Sequence, residues 1–218
     1  MKKALLSFTA SVSGVALAHA QPFVGSDAPL YAYRLAYSKD GLTATVRVDP
    51  SRPPGERVEI LSPRKRKKPG WLSDAVAELD AEADPALWCS SYEETIPKGA
   101  VIERKTDGVA IYAFDPIILS DDPEERLVMA HLEGRVTRSD DDGEILHYVL
   151  SSRAPFKMSR MIRVDRFTMD VVCKRSPDGR TYVAETRSQT AGKASGFRFE
   201  ELESQYISDL ERVSNTSP

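Results

Sequence analysis

Tyr31-Ala32-Tyr33-Arg34-Leu35-Ala36-Tyr37-Ser38-Lys39-Asp40-Gly41-Leu42-Thr43-Ala44-Thr45-Val46-Arg47-Val48 decides the fold. Large apolar or aromatic residues alternate before Asp40-Gly41. Leu42, Ala44, Val46 and Val48 alternate with polar residues after it. A period of two is the signature of a strand with one buried face. Asp-Gly is favoured in tight hairpin turns because both residues tolerate positive φ. The stretch therefore reads as a β-hairpin with Tyr31, Tyr33, Leu35 and Tyr37 on one side.

Three further Asp-Gly steps repeat the pattern, at Asp107-Gly108, Asp142-Gly143 and Asp178-Gly179. They join Val101–Arg104 to Val109–Phe114, Leu127–Arg138 to Ile145–Ser151, and Met161–Cys173 to Thr181–Gln189. Two-residue turns connect only antiparallel neighbours, so four hairpins in series predict a largely antiparallel sheet. Helix signal is scarce. Leu72, Ala75, Val76 and Leu79 form one apolar face of a helix over Leu72–Ala83, with Gly70 or Ser73 as its cap and Asp84-Pro85 as its end. Asp121–Arg126 adds at most one turn. Phe197–Val213 fits either periodicity, and Arg198–Ser208 is read as the strand that closes the meander after the Gly192–Gly196 turn region. The fold class expected is mainly β with few short helices, a curved antiparallel sheet (half-barrel) with one or two covering helices.

The first twenty residues read differently. Met1-Lys2-Lys3 is basic, Ala4–Leu17 is uncharged and mostly apolar, and Ala18-His19-Ala20 offers small residues around a cleavage site. This is the pattern of a secretory signal peptide cleaved near Ala20/Gln21. Its apolar run is shorter than the roughly 20 residues that span a bilayer. The expected organisation is a signal peptide over 1–20, a single β-rich domain over 21–213 and a tail over 214–218, in a periplasmic or secreted protein that is not an integral membrane protein.

Charge narrows the partners. Removing Lys2 and Lys3 takes the 30 basic residues to 28, against 33 acidic ones. That balance argues against a nucleic-acid binder and against general attraction to anionic lipid. One basic run, Arg64-Lys65-Arg66-Lys67-Lys68, reads as a solvated loop or as a patch for phosphate head groups or an acidic partner.

The two cysteines, Cys89 and Cys173, are 84 residues apart. In an oxidising compartment the expected state is one disulfide, although sequence alone leaves open two separate buried thiols. No cofactor or metal is expected, since His131 and His147 are the only histidines after residue 20 and no C-x-x-C or H-x-x-x-H spacing occurs. G-x-S-x-G is absent, and no catalytic residue stands out. A carboxylate pair of glycoside-hydrolase type would need two acids facing one cleft within about 10 Å, and no two acids are singled out.

The order of elements, with Val48-Asp49-Pro50-Ser51-Arg52-Pro53-Pro54-Gly55-Glu56-Arg57-Val58-Glu59-Ile60-Leu61 after the first hairpin and Ala154-Pro155-Phe156 through Asp178-Gly179-Arg180 later, resembles uncharacterised proteobacterial envelope proteins similar to the LolA and LppX lipoprotein-carrier superfamily. The resemblance implies a curved antiparallel half-barrel around an apolar cavity for acyl chains. No acyl-contacting residue is carried over from it. Adaptable Met and aromatic side chains suit such a cavity, and Tyr31, Tyr33, Tyr37, Met161, Phe167 and Met169 are the expected lining. The function expected is binding of a lipid or acyl ligand without catalysis. The alternative is an envelope module whose core is filled by its own side chains and which meets a protein partner, and the second alternative is a glycoside-hydrolase-type enzyme.

Overall fold

The computed structural model describes residues 29–63, 70–81 and 87–214. The expected signal peptide, the Arg64–Lys68 run, Asp84-Pro85 and the last four residues lie outside them. The described residues form eleven antiparallel strands in one curved sheet: β1 (Leu30–Lys39), β2 (Leu42–Val48), β3 (Val58–Ser62), β4 (Val101–Thr106), β5 (Val109–Phe114), β6 (Leu132–Ser139), β7 (Ile145–Ser152), β8 (Phe156–Lys157), β9 (Ile162–Arg175), β10 (Thr181–Ala194) and β11 (Phe197–Val213). Their order across the sheet is β3-β2-β1-β11-β10-β9-β7-β6-β5-β4, with β8 pairing beside β9.

That order follows from the hairpins. β4 to β11 run as a meander, and β11 then pairs with β1 over most of its length. The N-terminal hairpin is thereby added to the far side, and the chain between β3 and β4 runs from one edge of the sheet to the other. This crossing carries the covering elements: helix α1 (Leu72–Ala81) and a 3-10 helix at Cys89–Thr95. Cys89 is bonded to Cys173 on β9, which pins the crossing to the middle of the sheet.

All four Asp-Gly steps lie at hairpins, but only two are two-residue turns. Asp40 (φ 49°) and Gly41 (φ 79°) join Lys39 to Leu42, and Asp107-Gly108 joins Thr106 to Val109. At Asp142-Gly143 the closing bond is Ser139 N–H to Glu144 O, and at Asp178-Gly179 it is Ser176 N–H to Arg180 O, so both loops are longer. Ser195-Gly196 supplies a fifth turn with positive φ at both residues. Consequently β10 continues through Ala194, and the expected turn over Gly192–Gly196 shrinks to two residues.

Phe197–Val213 is a strand throughout, longer than the Arg198–Ser208 expected. It bends at a bulge where Tyr33 faces both Asp209 and Leu210, and Asp209 takes φ 53°. Leu127–Met129, expected to open a strand, instead ends a second helix, α2 (Pro123–Met129). Asp122 caps that helix by accepting from Glu124 N–H at 2.8 Å, Pro123 sits in its first turn, and Val128 and Met129 are buried. Capping and an N1 proline are strong start signals, so the helix runs on to where the apolar pair meets the core.

Candidate functional site

One face of the sheet is followed most easily along its cross-strand rows. Phe114, Gly134, Leu150, Met169, Ser188, Glu203 and Lys39 stand side by side on seven consecutive strands. The neighbouring row is Tyr112, Val136, Tyr148, Val171, Thr186, Gln205, Tyr37 and Ala44. In both rows the residues up to β9 are apolar or aromatic, and polar ones enter at β10 and β11.

The apolar half is tightly filled. Tyr92 of the 3-10 helix stacks on Tyr148 with ring centroids 4.7 Å apart, and Phe114 packs against the same ring at 5.8 Å. The Tyr148 hydroxyl shares a hydrogen bond with Thr95 Oγ1 at 2.9 Å. Burial disfavours both phenolates: the Tyr92 hydroxyl is pushed well above its ordinary pKa, and that of Tyr148 to about 12.

The polar half is hollow. α1 packs over β2 and β3 at the edge of the sheet, and between its Leu72, Ala75, Val76 and Leu79 and the face of β1, β2, β9, β10 and β11 lies a cavity of about 120 Å³. Leu35, Ala44, Val46, Met169, Val183 and Ile207 form its apolar wall, and Tyr37, Thr186, Ser188, Glu203, Ser204 and Gln205 its polar side. Glu78, exposed on α1, stands at its rim. Trp71, just before the helix, packs on Tyr37 at 4.5 Å between ring centroids. Its indole Nε1 is the one buried side-chain polar atom without a partner among the described residues.

At the polar end Lys39 is only 4% exposed and forms an ion pair with Glu203, itself 12% exposed. The Tyr37 hydroxyl donates to Glu203 Oε2 at 3.1 Å. Charges are taken out of water here only because they are paired and hydrogen-bonded. Two residues earlier on β11, Glu201 faces Thr190. Burial raises its pKa, the Lys39 charge works to lower it, and the charges of Asp40 and Glu203 add to the rise.

Of the six expected lining residues, the structure brings Tyr37 and Met169 to the cavity. Tyr31, Tyr33 and Phe167 are buried in the surrounding core instead. Tyr31 packs edge-on to Trp88. Met161 is 59% exposed, in the connection before β9. Sequence reading missed the polar side on β10 and β11 and the indole of Trp71. The four residues of the expected helix face, by contrast, all border the cavity. His131 stacks on Phe156, and His147 bonds Asp170 at 3.0 Å. Among the described residues no three His, Cys, Asp or Glu side chains are grouped to hold a metal, and no helix is long and apolar enough to cross a membrane. Neither a protein-family model, nor a curated protein, nor a solved structure matches the chain.

Proposed function

We propose that the protein binds a slender apolar ligand, an acyl chain or a comparable lipid fragment, under α1 and carries out no chemistry on it. The cavity between α1 and the polar half of the sheet carries this reading. An engineered apolar cavity of about 150 Å³ holds benzene, so a space of about 120 Å³ suits a few methylenes of a chain rather than a bulky ring system. Burial of that chain, at roughly 25 cal/mol per Å², is the driving force. The unpartnered Trp71 N–H is a donor in need of an acceptor, and a carbonyl or carboxylate oxygen on the ligand supplies one. A disulfide between Cys89 and Cys173 fits a secreted or periplasmic setting, where such bonds persist. An interaction module with a filled interior would have no use for the hollow half.

The test is titration of delipidated protein with fatty acids of six to ten carbons, followed by calorimetry and by Trp71 fluorescence in a Trp88→Phe background. Saturable binding is expected, weakened at least tenfold by Ala75→Leu, whose added atoms enter the cavity. Binding that Ala75→Leu leaves unchanged, or no binding at all, sinks the proposal.

A further inference from the structure

At the end of the sheet remote from the disulfide, β9, β10 and β11 run on past the β1–β2 turn as a three-stranded wing, with β8 alongside. The register places Lys157, Arg163, Lys193 and Arg198 abreast on four adjacent strands. All four are exposed. Like charges directly opposite one another destabilise a sheet, so a row of four cations works against folding. Beyond the row comes the tip. Ser195 N–H bonds Met161 O at 2.8 Å, which holds the Ser195-Gly196 turn against the start of β9. There Phe197 is 79% exposed and Met161 59%. Residues 156–166 and 191–200 hold six cations against two acids, in a chain whose net charge is −3. The two acids are accounted for: Asp165 accepts from Arg163 at 2.9 Å, and Glu200 lies 3.8 Å from Arg166.

We propose that this wing docks on an anionic lipid bilayer, with Phe197 and Met161 entering the interface and the cationic row lying against the head groups. Charge complementarity selects an anionic partner. The apolar tip selects a bilayer over a soluble polyanion, which gives a protruding phenylalanine nothing to enter. The sheet supplies the rigidity. Gly192 lets the strands close up, since a Cβ there would lie 2.1 Å from Arg163 O and 3.0 Å from the Phe199 ring. The proposal does not depend on the cavity under α1, because docking needs no bound ligand.

The experiment is co-sedimentation of the full chain without residues 1–20 with phosphatidylglycerol/phosphatidylcholine vesicles and with pure phosphatidylcholine vesicles, at low and high salt. The expected result is partitioning onto the anionic vesicles only, lost at high salt as counterions screen the surface. Lys193→Ser with Arg198→Ser should weaken it by about 25-fold, roughly five-fold per charge. Phe197→Ser with Met161→Ser should weaken it at least tenfold while thermal unfolding stays unchanged. No preference for anionic vesicles overturns the proposal. So does binding that survives the cation substitutions, which would place the contact elsewhere. Binding that survives loss of both tip residues overturns it in favour of adsorption by charge alone.

Discussion

Two halves of one sheet face meet at β9, and they are built on opposite principles. On the β5–β9 side, Phe114, Gly134, Leu150 and Met169 continue ring-to-ring and chain-to-chain contact under a covering segment tied down by Cys89–Cys173. On the β10–β2 side, Ser188 and Glu203 extend the same row along the cavity that α1 borders, and Lys39 ends it in an ion pair with Glu203. Close packing gives a filled interior its rigidity. A cavity forgoes that contact, and stability in the hollow half rests on the buried ion pair and on the helix face. The lesson is that one covering segment can weld a sheet at one end and leave it receptive at the other.

The largest effect should come from cutting the weld. Cys89→Ser with Cys173→Ser frees a loop of 84 residues, and chain entropy sets the loss at about 4.5 kcal/mol, or roughly 10 °C in melting temperature. Calorimetry checks this. A drop of only a degree or two would mean that the 3-10 helix is held by packing alone, and the contrast between the halves would weaken. Next comes the hollow half's own anchor. Lys39→Ala takes the countercharge from the part-buried Glu203 carboxylate and should cost about 3 kcal/mol by urea unfolding, while Lys39→Met with Glu203→Leu should recover most of that loss.

A matched pair of enlargements sharpens the comparison further. Gly134→Ala adds one carbon to the filled half, where it would lie 2.3 Å from the Phe114 ring, and should cost about 2 kcal/mol. Ala75→Leu adds three carbons to the hollow half and should change stability by less than about 1 kcal/mol, because the cavity receives them. Equal costs for the two, measured by urea unfolding, would mean that the cavity closes up in solution.

Much of the architecture is written in local pattern. The Asp-Gly steps and the alternation around them fix the hairpins, and the 3.6-residue spacing of Leu72, Ala75, Val76 and Leu79 fixes α1 and the side it buries. The lining was only partly readable, since it depends on register between strands far apart in sequence. Tyr31, Tyr33, Leu35 and Tyr37 alternate alike, yet Leu35 and Tyr37 border the cavity and the other two pack into the core. Which residues meet α1 and which meet Trp88 is settled by where the β3–β4 crossing lies over the sheet. The cationic row was invisible for the same reason. Lys157, Arg163, Lys193 and Arg198 are scattered in the chain, and an overall acidic balance gives no hint that four strands bring them abreast.

The smallest effect is a pH response between pH 4 and pH 7, carried by Glu201 on β11. Below pH 10 the buried tyrosines of the filled half do not titrate, since burial holds both above their ordinary pKa. Asp142, at the β6–β7 loop, is held down to about 2, with its Arg175 hydrogen bond as the main cause. Its contribution is present above its ordinary 3.8 and is lost only as pH falls toward 2. Glu201 works in the opposite sense. Its folded pKa lies above the ordinary 4.5 because burial disfavours the carboxylate, against the pull of Lys39 and with the push of Asp40 and Glu203. The unfolded chain therefore releases this proton first, and stability from the group is full below 4.5 and falls as pH rises through the raised value. Glu201→Gln should remove that fall, so the stability difference between variant and parent should grow in the variant's favour from pH 4 to pH 7. Urea unfolding at pH 4, 5, 6 and 7 reads it directly. A constant difference across that range would mean that Glu201 is as well hydrated as a surface carboxylate.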